Sequence, residues 1–205
     1  MKKVLGNLFI LSAPSGTGKT SLSKSLIQRN MDLWLSISYT SRLKRANEIE
    51  GQDYHFVERN TFEKMLENGE FIESAEIYGN LYGSSKKWIN ETINSGKDVL
   101  LEIDGKGAQQ VRKIFSNVVS IFILPPSLEV LENRLNNRNQ DSKEVIAKRM
   151  DSARNEISHV NEYDYVIIND NIDKAIQELV SIVQSERLRM SMQIVRYRNL
   201  VTQFL

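Results

Sequence analysis

Residues 8–20, LFILSAPSGTGKT, restrict what this chain can fold into more than any other stretch. Leu8, Phe9, Ile10 and Leu11 form an apolar run that reads as a buried strand. It breaks into Ser12-Ala13-Pro14-Ser15-Gly16-Thr17-Gly18-Lys19-Thr20, which fits the P-loop pattern G-x-x-x-x-G-K-[ST] with Ala13 at the first glycine position. Gly16 and Gly18 allow a tight turn that points successive N–H groups inward at phosphate oxygens. Lys19 adds a cation for the β- and γ-phosphates, and the Thr20 hydroxyl can ligate Mg²⁺. A helix starting near Thr20 turns its positive end toward the same phosphates. The plainer alternative is a Gly/Ser turn between a strand and a helix. The order of strand, loop, Lys-Thr and helix is the one the motif requires.

The remaining bulk properties set limits. A length of 205 residues suits one α/β domain with insertions, and a net charge of +1 gives no electrostatic argument for nucleic acid or an anionic membrane. There is no cysteine, so disulfides and thiolate metal sites are excluded, and the composition fits a reducing compartment. The longest apolar stretches are too short to span a bilayer. Met1-Lys2-Lys3 followed by VLGNLFILSA has the outline of a signal peptide, but Gly6-Asn7 interrupts it. Cleavage near Ala13 would also cut the strand that holds the phosphates, so a cytoplasmic location is expected.

After the loop, Ser21 to Arg29 reads as a helix with Leu22, Leu26 and Ile27 on one face, and Leu33 to Tyr39 as a strand with Trp34 in the core. Residues 40–50, TSRLKRANEIE, are either a solvated loop or, through Arg42 and Arg45, an anion clamp. Asp53–Val57 and Glu70–Tyr78 read as strands, with a helix capped by Thr61 between them. Gly79-Asn80 makes a turn, and Ser84 opens a helix to about Asn94. Asp98 to Asp104, DVLLEID, is an apolar strand ending in acids; beside a P-loop strand it can offer a carboxylate to Mg²⁺, and otherwise its acids are surface groups. Gly105–Phe115 is a helix and Val118–Leu124 a buried strand. Ser127 and Ser142 then start two helices carrying Arg134, Arg138 and Arg149, a solvated face or a lid that closes over phosphates. Asp164–Asn169 is a last strand, and the helix from Ile172 has a buried stripe of Ile172, Ala175, Ile176, Leu179, Ile182 and Val183. His55 and His159 have no partners at metal-ligand spacing. The alternation of strands and helices predicts an α/β fold, a three-layer arrangement with a mostly parallel sheet covered on both faces. Short strands clustered at about 36–95 mark an inserted subdomain.

Taken in order, the segments SAPSGTGKT, SYTSRLKR, GQDYHFV, GEFIESAEIYGNLYGSS, EIDGKGAQQV, IFILPPS, the three arginines and EYDYVIIND resemble guanylate kinase along almost the whole chain. The resemblance implies one domain over residues 1–205, with a core of 1–35, 96–126 and 160–205, a GMP-binding subdomain at about 36–95 and a lid at about 127–159. It implies transfer of the ATP γ-phosphoryl group to GMP. Ala13, Pro14, Ser15, Gly16, Thr17, Gly18, Lys19 and Thr20 would bind ATP with Arg134 and Arg138. Ser38, Glu73, Ser84 and Asp104 would face guanine, and Arg42, Arg45, Tyr54 and Tyr82 would hold its 5′-phosphate. Lys19, Arg42, Arg134, Arg138 and Arg149 would stabilise the transferring group. Thr20 and Glu102, the latter directly or through water, would serve Mg²⁺. The expected partners are ATP and GMP, with no nucleic acid or membrane; the basic tail beyond Glu186 either extends the last helix, frays, or contacts a second copy to give a homodimer through the C-terminal helix.

The chain departs from the family pattern at three places: Glu102 stands where Asp is common, Gly105-Lys106 where Trp-Gln or Val-Gln is common, and Arg138-Asn139 where Arg-Gly is usual. A non-catalytic, guanylate-kinase-like interaction module would have lost ATP-site residues, which are intact here. A sugar-phosphate kinase needs no guanine-reading pair such as Glu73 with Ser38. An adenylate kinase would lack an acceptor carboxylate facing N1.

Overall fold

The computed structural model describes residues 5–29, 32–77, 79–136 and 143–204. Arg138, Asn139, Tyr78 and the N-terminal Met1-Lys2-Lys3, all named above, lie outside the described residues. The central sheet has five strands in the order β2-β7-β1-β8-β9. These are β1 (Leu8–Ser12), β2 (Leu33–Leu35), β7 (Asp98–Glu102), β8 (Val119–Leu124) and β9 (Tyr165–Ile168), and every pairing among them is parallel. Strands of a parallel sheet buried on both faces read as continuous apolar runs, and β1 is buried at all five positions.

The period of two decides which layer each residue joins. Phe9 and Leu11 point to one face, where Leu22 and Leu26 of α1 (Lys19–Arg29) and Ala175, Ile176, Leu179 and Val183 of α7 (Ile172–Arg187) cover them. Leu8 and Ile10 point to the other, against Ile89 and Ile93 of α3 (Lys86–Asn94) and Ala108 and Val111 of α4 (Gly105–Ile114). A separate cluster of Leu131, Leu135, Ile146, Met150 and Ala153 joins α5 (Leu128–Asn136) to α6 (Lys143–Ser158). Strand β1 sits between β7 and β8, so the chain leaves it in both directions, and the carboxyl ends of the strands open into a crevice at that switch point.

A second sheet has the order β4-β3-β6-β5. It comprises β3 (Tyr39–Thr40), β4 (His55–Phe56), β5 (Phe71–Ile77) and β6 (Asn80–Ser85). Its packing is aromatic: Phe62 of α2 (Arg59–Glu67) stacks on Phe71 at 4.5 Å between ring centroids, and Tyr39 touches both Phe71 and His55. Two short helices, α8 (Met190–Arg196) and α9 (Arg198–Val201), follow α7.

Several expectations are corrected. Leu33–Tyr39 is two strands in two sheets: the Ser36 amide still donates to Leu100 of the central sheet, while the Ser38 carbonyl already accepts from His55 of the second. Trp34 is not a core residue; alternation on a sheet-edge strand leaves it 44% exposed, with the Lys97 ammonium 4.1 Å from its ring. Thr61 does not cap a helix, because α2 begins two residues earlier with Glu58 at its N-cap. Ser84 stays in β6, and Ser85 is the residue whose side chain caps α3, accepting from the Trp88 amide. Asp104 lies beyond the strand, as the N-cap of α4. Ile172, the first residue of α7, stands 46% exposed before the buried stripe begins.

One buried ion pair ties the bottom of the sheet to the end of α7. Asp98, 3% exposed, accepts from the Asn7 amide at 2.7 Å and from Arg187 Nε at 2.5 Å. Removing one partner strands the other charge. Asp98→Ala is therefore expected to lower the unfolding free energy by roughly 2–3 kcal/mol, at or below the fully buried range, as read by urea denaturation.

Candidate active site

The loop between β1 and α1 is held in shape by hydrogen bonds that pull its carbonyls outward. Pro14 O accepts from the Thr17 amide at 3.3 Å and the Thr17 hydroxyl at 2.8 Å. Thr17 O accepts from Asn169 Nδ2 at 2.6 Å. With these carbonyls engaged within the protein, the loop is fixed in a tight turn. Gly16 and Gly18 have φ of +95° and +91°, the left-handed side that favours glycine. Space demands glycine there too: a Cβ on Gly18 would stand 2.8 Å from Asn169 Nδ2, and one on Gly16 2.9 Å from Leu135. Ala13 and Pro14 are buried at the end of the strand, and Ser15 and Thr20 are exposed. Lys19 is the first residue of α1.

Of the three arginines expected in a lid, the two described ones extend from the α5–α6 pair, one to the loop and one to the end of β9. Arg149 donates to the Ser15 hydroxyl, and Arg134 donates to the Asn169 carbonyl at 3.1 Å. Asn169 thus links loop, β9 end and α5, a role that sequence reasoning missed. Its place at the end of the quoted segment EYDYVIIND was the available signal. Arg138 lies outside the described residues.

Across the crevice, the second sheet builds a polar pocket. Glu73 on β5 and Ser84 on β6 are cross-strand partners, and both are buried. The Ser84 hydroxyl donates to Glu73 Oε1 at 2.6 Å, and the Ser38 hydroxyl lies 3.4 Å from that of Ser84. Asp104 faces the same carboxylate while one of its oxygens accepts from the Gly107 amide at 2.8 Å. Burial pushes the Glu73 carboxyl up to about 7, with the nearby Asp104 charge adding to the rise; Ser84 and Lys19 pull the other way. Gly107 was not singled out from the sequence, yet a Cβ there would stand 2.7 Å from Glu73 Oε2.

Of the four residues expected at the 5′-phosphate, Arg42, Tyr54 and Tyr82 come together by their side chains and Arg45 joins through its backbone amide. Tyr54 and Tyr82 meet edge to face at 5.7 Å, and the Arg42 guanidinium lies 5.4 Å from the Tyr54 ring centre. Arg42 forms a two-pronged pair with Glu48, at 3.0 and 2.6 Å, and the Arg45 amide donates to the same carboxylate at 2.8 Å. The bond to Glu48 raises the Arg42 guanidinium further, and the same bond lowers the Glu48 carboxyl. Glu48 went unnoticed because an acid in a charged loop reads as solvated surface.

Glu102, at the end of β7, is level with Leu11 of β1 and receives a hydrogen bond from the buried Ser23 hydroxyl of α1. Burial raises the Tyr54 phenol, and the charges of Tyr82 and Glu102 add to the rise. On α6, burial raises the Glu156 carboxyl, opposed by the Lys19 charge, and Glu156 accepts from the Ser152 hydroxyl at 3.3 Å. Among the described residues no group of three or more His, Cys, Asp or Glu could hold a metal, and no helix is long and apolar enough to cross a membrane.

A P-loop at the switch point of a parallel sheet, facing a second pocket with a buried carboxylate and a basic, tyrosine-lined rim, defines a nucleotide phosphotransferase with separate donor and acceptor sites. The profile of the guanylate kinase family matches residues 5–186. The chain is 60% identical to the guanylate kinase of Nitrosospira multiformis, over 97% of this chain and 94% of that one. It is 53% identical to that of Nitrosomonas europaea, over 96% and 98%. The crystal structure of guanylate kinase from Anaplasma phagocytophilum matches 93% of this chain and 90% of its own with a TM-score of 0.77 at 35% identity. The chain belongs to the guanylate kinase family. Guanylate kinases are ATP:GMP phosphotransferases, and that is the reaction class of this nucleoside monophosphate kinase.

The Glu73 shift has a consequence for stability. An unfolded chain ionises this carboxyl near 4.5, the folded one at about 7. As pH rises through that window the unfolded state loses its proton first and is favoured, so Glu73 costs the fold about 3 kcal/mol above neutral pH. Glu73→Gln keeps an acceptor for Ser84 and removes the charge. It is expected to be more stable than the parent by roughly 1–3 kcal/mol at pH 8 and nearly equal to it at pH 5, measured by chemical denaturation. Gly107→Ala is expected to displace the Glu73 carboxylate and weaken GMP binding with little change in ATP binding, as separate calorimetric titrations would show.

Proposed function

We propose that this chain reads guanine with Glu73, Ser38, Ser84 and Asp104, holds the GMP phosphate with Arg42, Arg45, Tyr54 and Tyr82, and holds ATP with the loop from Ala13 to Thr20. The observation that carries the assignment is the buried Glu73 carboxylate, kept in place by the Ser84 hydroxyl at 2.6 Å. Guanine offers N1–H and the 2-amino group as adjacent donors, and one carboxylate accepts both. Adenine has a lone pair at N1, which would face the carboxylate and leave buried polar groups unpaired. The Ser84 proton is engaged on Glu73, so the Ser38 hydroxyl is the serine assigned to guanine O6.

At the phosphate end, Glu48 fixes the Arg42 fork from one side while Arg42 Nε–H, Arg45 and the two phenols bind the dianion. A GMP phosphate oxygen then attacks the ATP γ-phosphorus in line; the new P–O bond forms as the bond to the β–γ bridging oxygen breaks, and ADP leaves. Little covalent chemistry falls to the protein. The loop amides and Lys19 neutralise the phosphates, and Arg134, Arg138 and Arg149 close over them and exclude water. The expected core, GMP-binding subdomain and lid are assigned as these working parts.

Mg²⁺ is assigned to the space between Thr20 and Glu102. Both offer hard oxygen donors, and so small a protein ligand set suits an ion that keeps waters and binds substrate phosphates. Held by the Thr20 hydroxyl and the Glu102 carboxylate, it would supply neutralisation of phosphate charge. The exposed Met190, Ile194, Tyr197, Leu200 and Phe204 of the C-terminal segment support pairing with a second copy there. A cysteine-free chain acting on ATP and GMP supports a cytoplasmic location.

The test is ADP release from ATP and Mg²⁺ with GMP, AMP, CMP, UMP or a sugar phosphate as acceptor. Turnover is expected with GMP and far less with the others; equal use of AMP would refute the Glu73 assignment. Lys19→Ala should lower kcat by roughly 10²–10³-fold with an unchanged unfolding curve. Glu73→Gln should raise KM for GMP by roughly 10- to 100-fold and leave KM for ATP alone.

A further inference from the structure

Ser23 is a serine in an apolar place. It lies on α1 between Leu22 and Leu26, it is fully buried, and those neighbours belong to the core cluster on that face of the sheet. An aliphatic side chain would pack there without a polar group to satisfy, whereas a buried hydroxyl is costly unless it is bonded. The hydroxyl donates to Glu102 Oε1 and stands 3.0 Å from the Thr20 carbonyl, one turn earlier on α1. It therefore joins the helix that carries Thr20 to the strand end that carries Glu102, the two residues assigned to Mg²⁺ above.

Glutamate has one more side-chain torsion than aspartate, so a Glu carboxylate at the end of β7 has more rotamers to lose before it serves a fixed point. Binding one oxygen to a buried hydroxyl on a rigid helix removes that freedom and leaves the second oxygen for the crevice. We propose that Ser23 is a positioning residue that holds the longer Glu102 side chain against α1, so that its carboxylate is preset for the Mg²⁺ that accompanies ATP. The proposal rests on the assignment of Thr20 and Glu102 to that ion. Ser23 itself touches neither metal nor nucleotide.

The experiment is calorimetric titration of a non-hydrolysable ATP analogue into the full chain, in EDTA and over a range of Mg²⁺ concentrations. It compares the parent with Ser23→Ala, Ser23→Ala/Glu102→Asp and Glu102→Gln. Ser23→Ala should leave metal-free affinity unchanged and raise the Mg²⁺ concentration needed for the metal-dependent gain by roughly 10-fold. The double variant, whose shorter acid has less freedom to lose, should recover most of that. If Glu102→Gln weakens the metal-dependent gain while Ser23→Ala matches the parent, the Ser23 proposal fails and the Glu102 assignment stands. If Glu102→Gln also matches the parent, the metal assignment itself fails, and the proposal with it. Loss of metal-free and metal-dependent affinity in equal measure on Ser23→Ala would show a packing role only and overturn the proposal.

Discussion

The site depends on where the carbonyls of a short loop point. A concave row of N–H groups can face an anion only if the intervening C=O groups are satisfied on the other side. Here the Thr17 side chain and amide take Pro14 O, and Asn169, more than a hundred residues later in the chain, takes Thr17 O. Gly18 leaves room for the Asn169 amide to make that approach. Because Asn169 also accepts from Arg134 through its own carbonyl, the loop's shape and the placing of α5 are set by one residue. The hydrophobic core puts Asn169 there, since the β8–β9 pairing ends with the Asn169 amide donating to Leu124.

The acceptor pocket works by the opposite principle, a charge kept where it is costly. Glu73 is buried beside Asp104, while the Ser84 hydroxyl, the Ser84 backbone amide and the field of Lys19 favour its ionised form. A buried carboxylate so placed is a source of instability, and under the proposed assignment the two adjacent N–H donors of guanine would relieve it. On that assignment, stability given up by the empty site would become discrimination between bases. The phosphate end is arranged differently. Arg42 is fixed in advance by Glu48, so less of its side-chain freedom remains to be lost when a dianion arrives.

Much of this was legible in the linear sequence because it follows short-range rules. The strand–loop–helix order around Gly16, Gly18 and Lys19 is a local motif. The apolar runs of β1, β7 and β8 announce a sheet buried on both faces, and alternation within β1 assigns Phe9 and Leu11 to one layer and Leu8 and Ile10 to the other. Resemblance to a family supplied the candidate acceptor residues; in the structure Glu73, Ser84 and Ser38 lie together, and so do Arg42, Tyr54 and Tyr82. Helix starts were less legible: capping at Glu58 and Ser85 rather than Thr61 and Ser84 was settled by where the second sheet ends, a long-range matter.

The sequence by itself determined the phosphate loop and the α/β class, because the first is a local motif and the second follows from apolar runs alternating with amphipathic stretches. Only the tertiary structure decided that Leu33–Tyr39 divides between two sheets, that Trp34 faces Lys97 at the surface, and that Asn169, Glu48, Gly107 and Ser23 support the residues around them. The physical reason is shared by all of them. Each acts through a partner distant in the chain or through the space it leaves empty, and neither exists until the layers have packed.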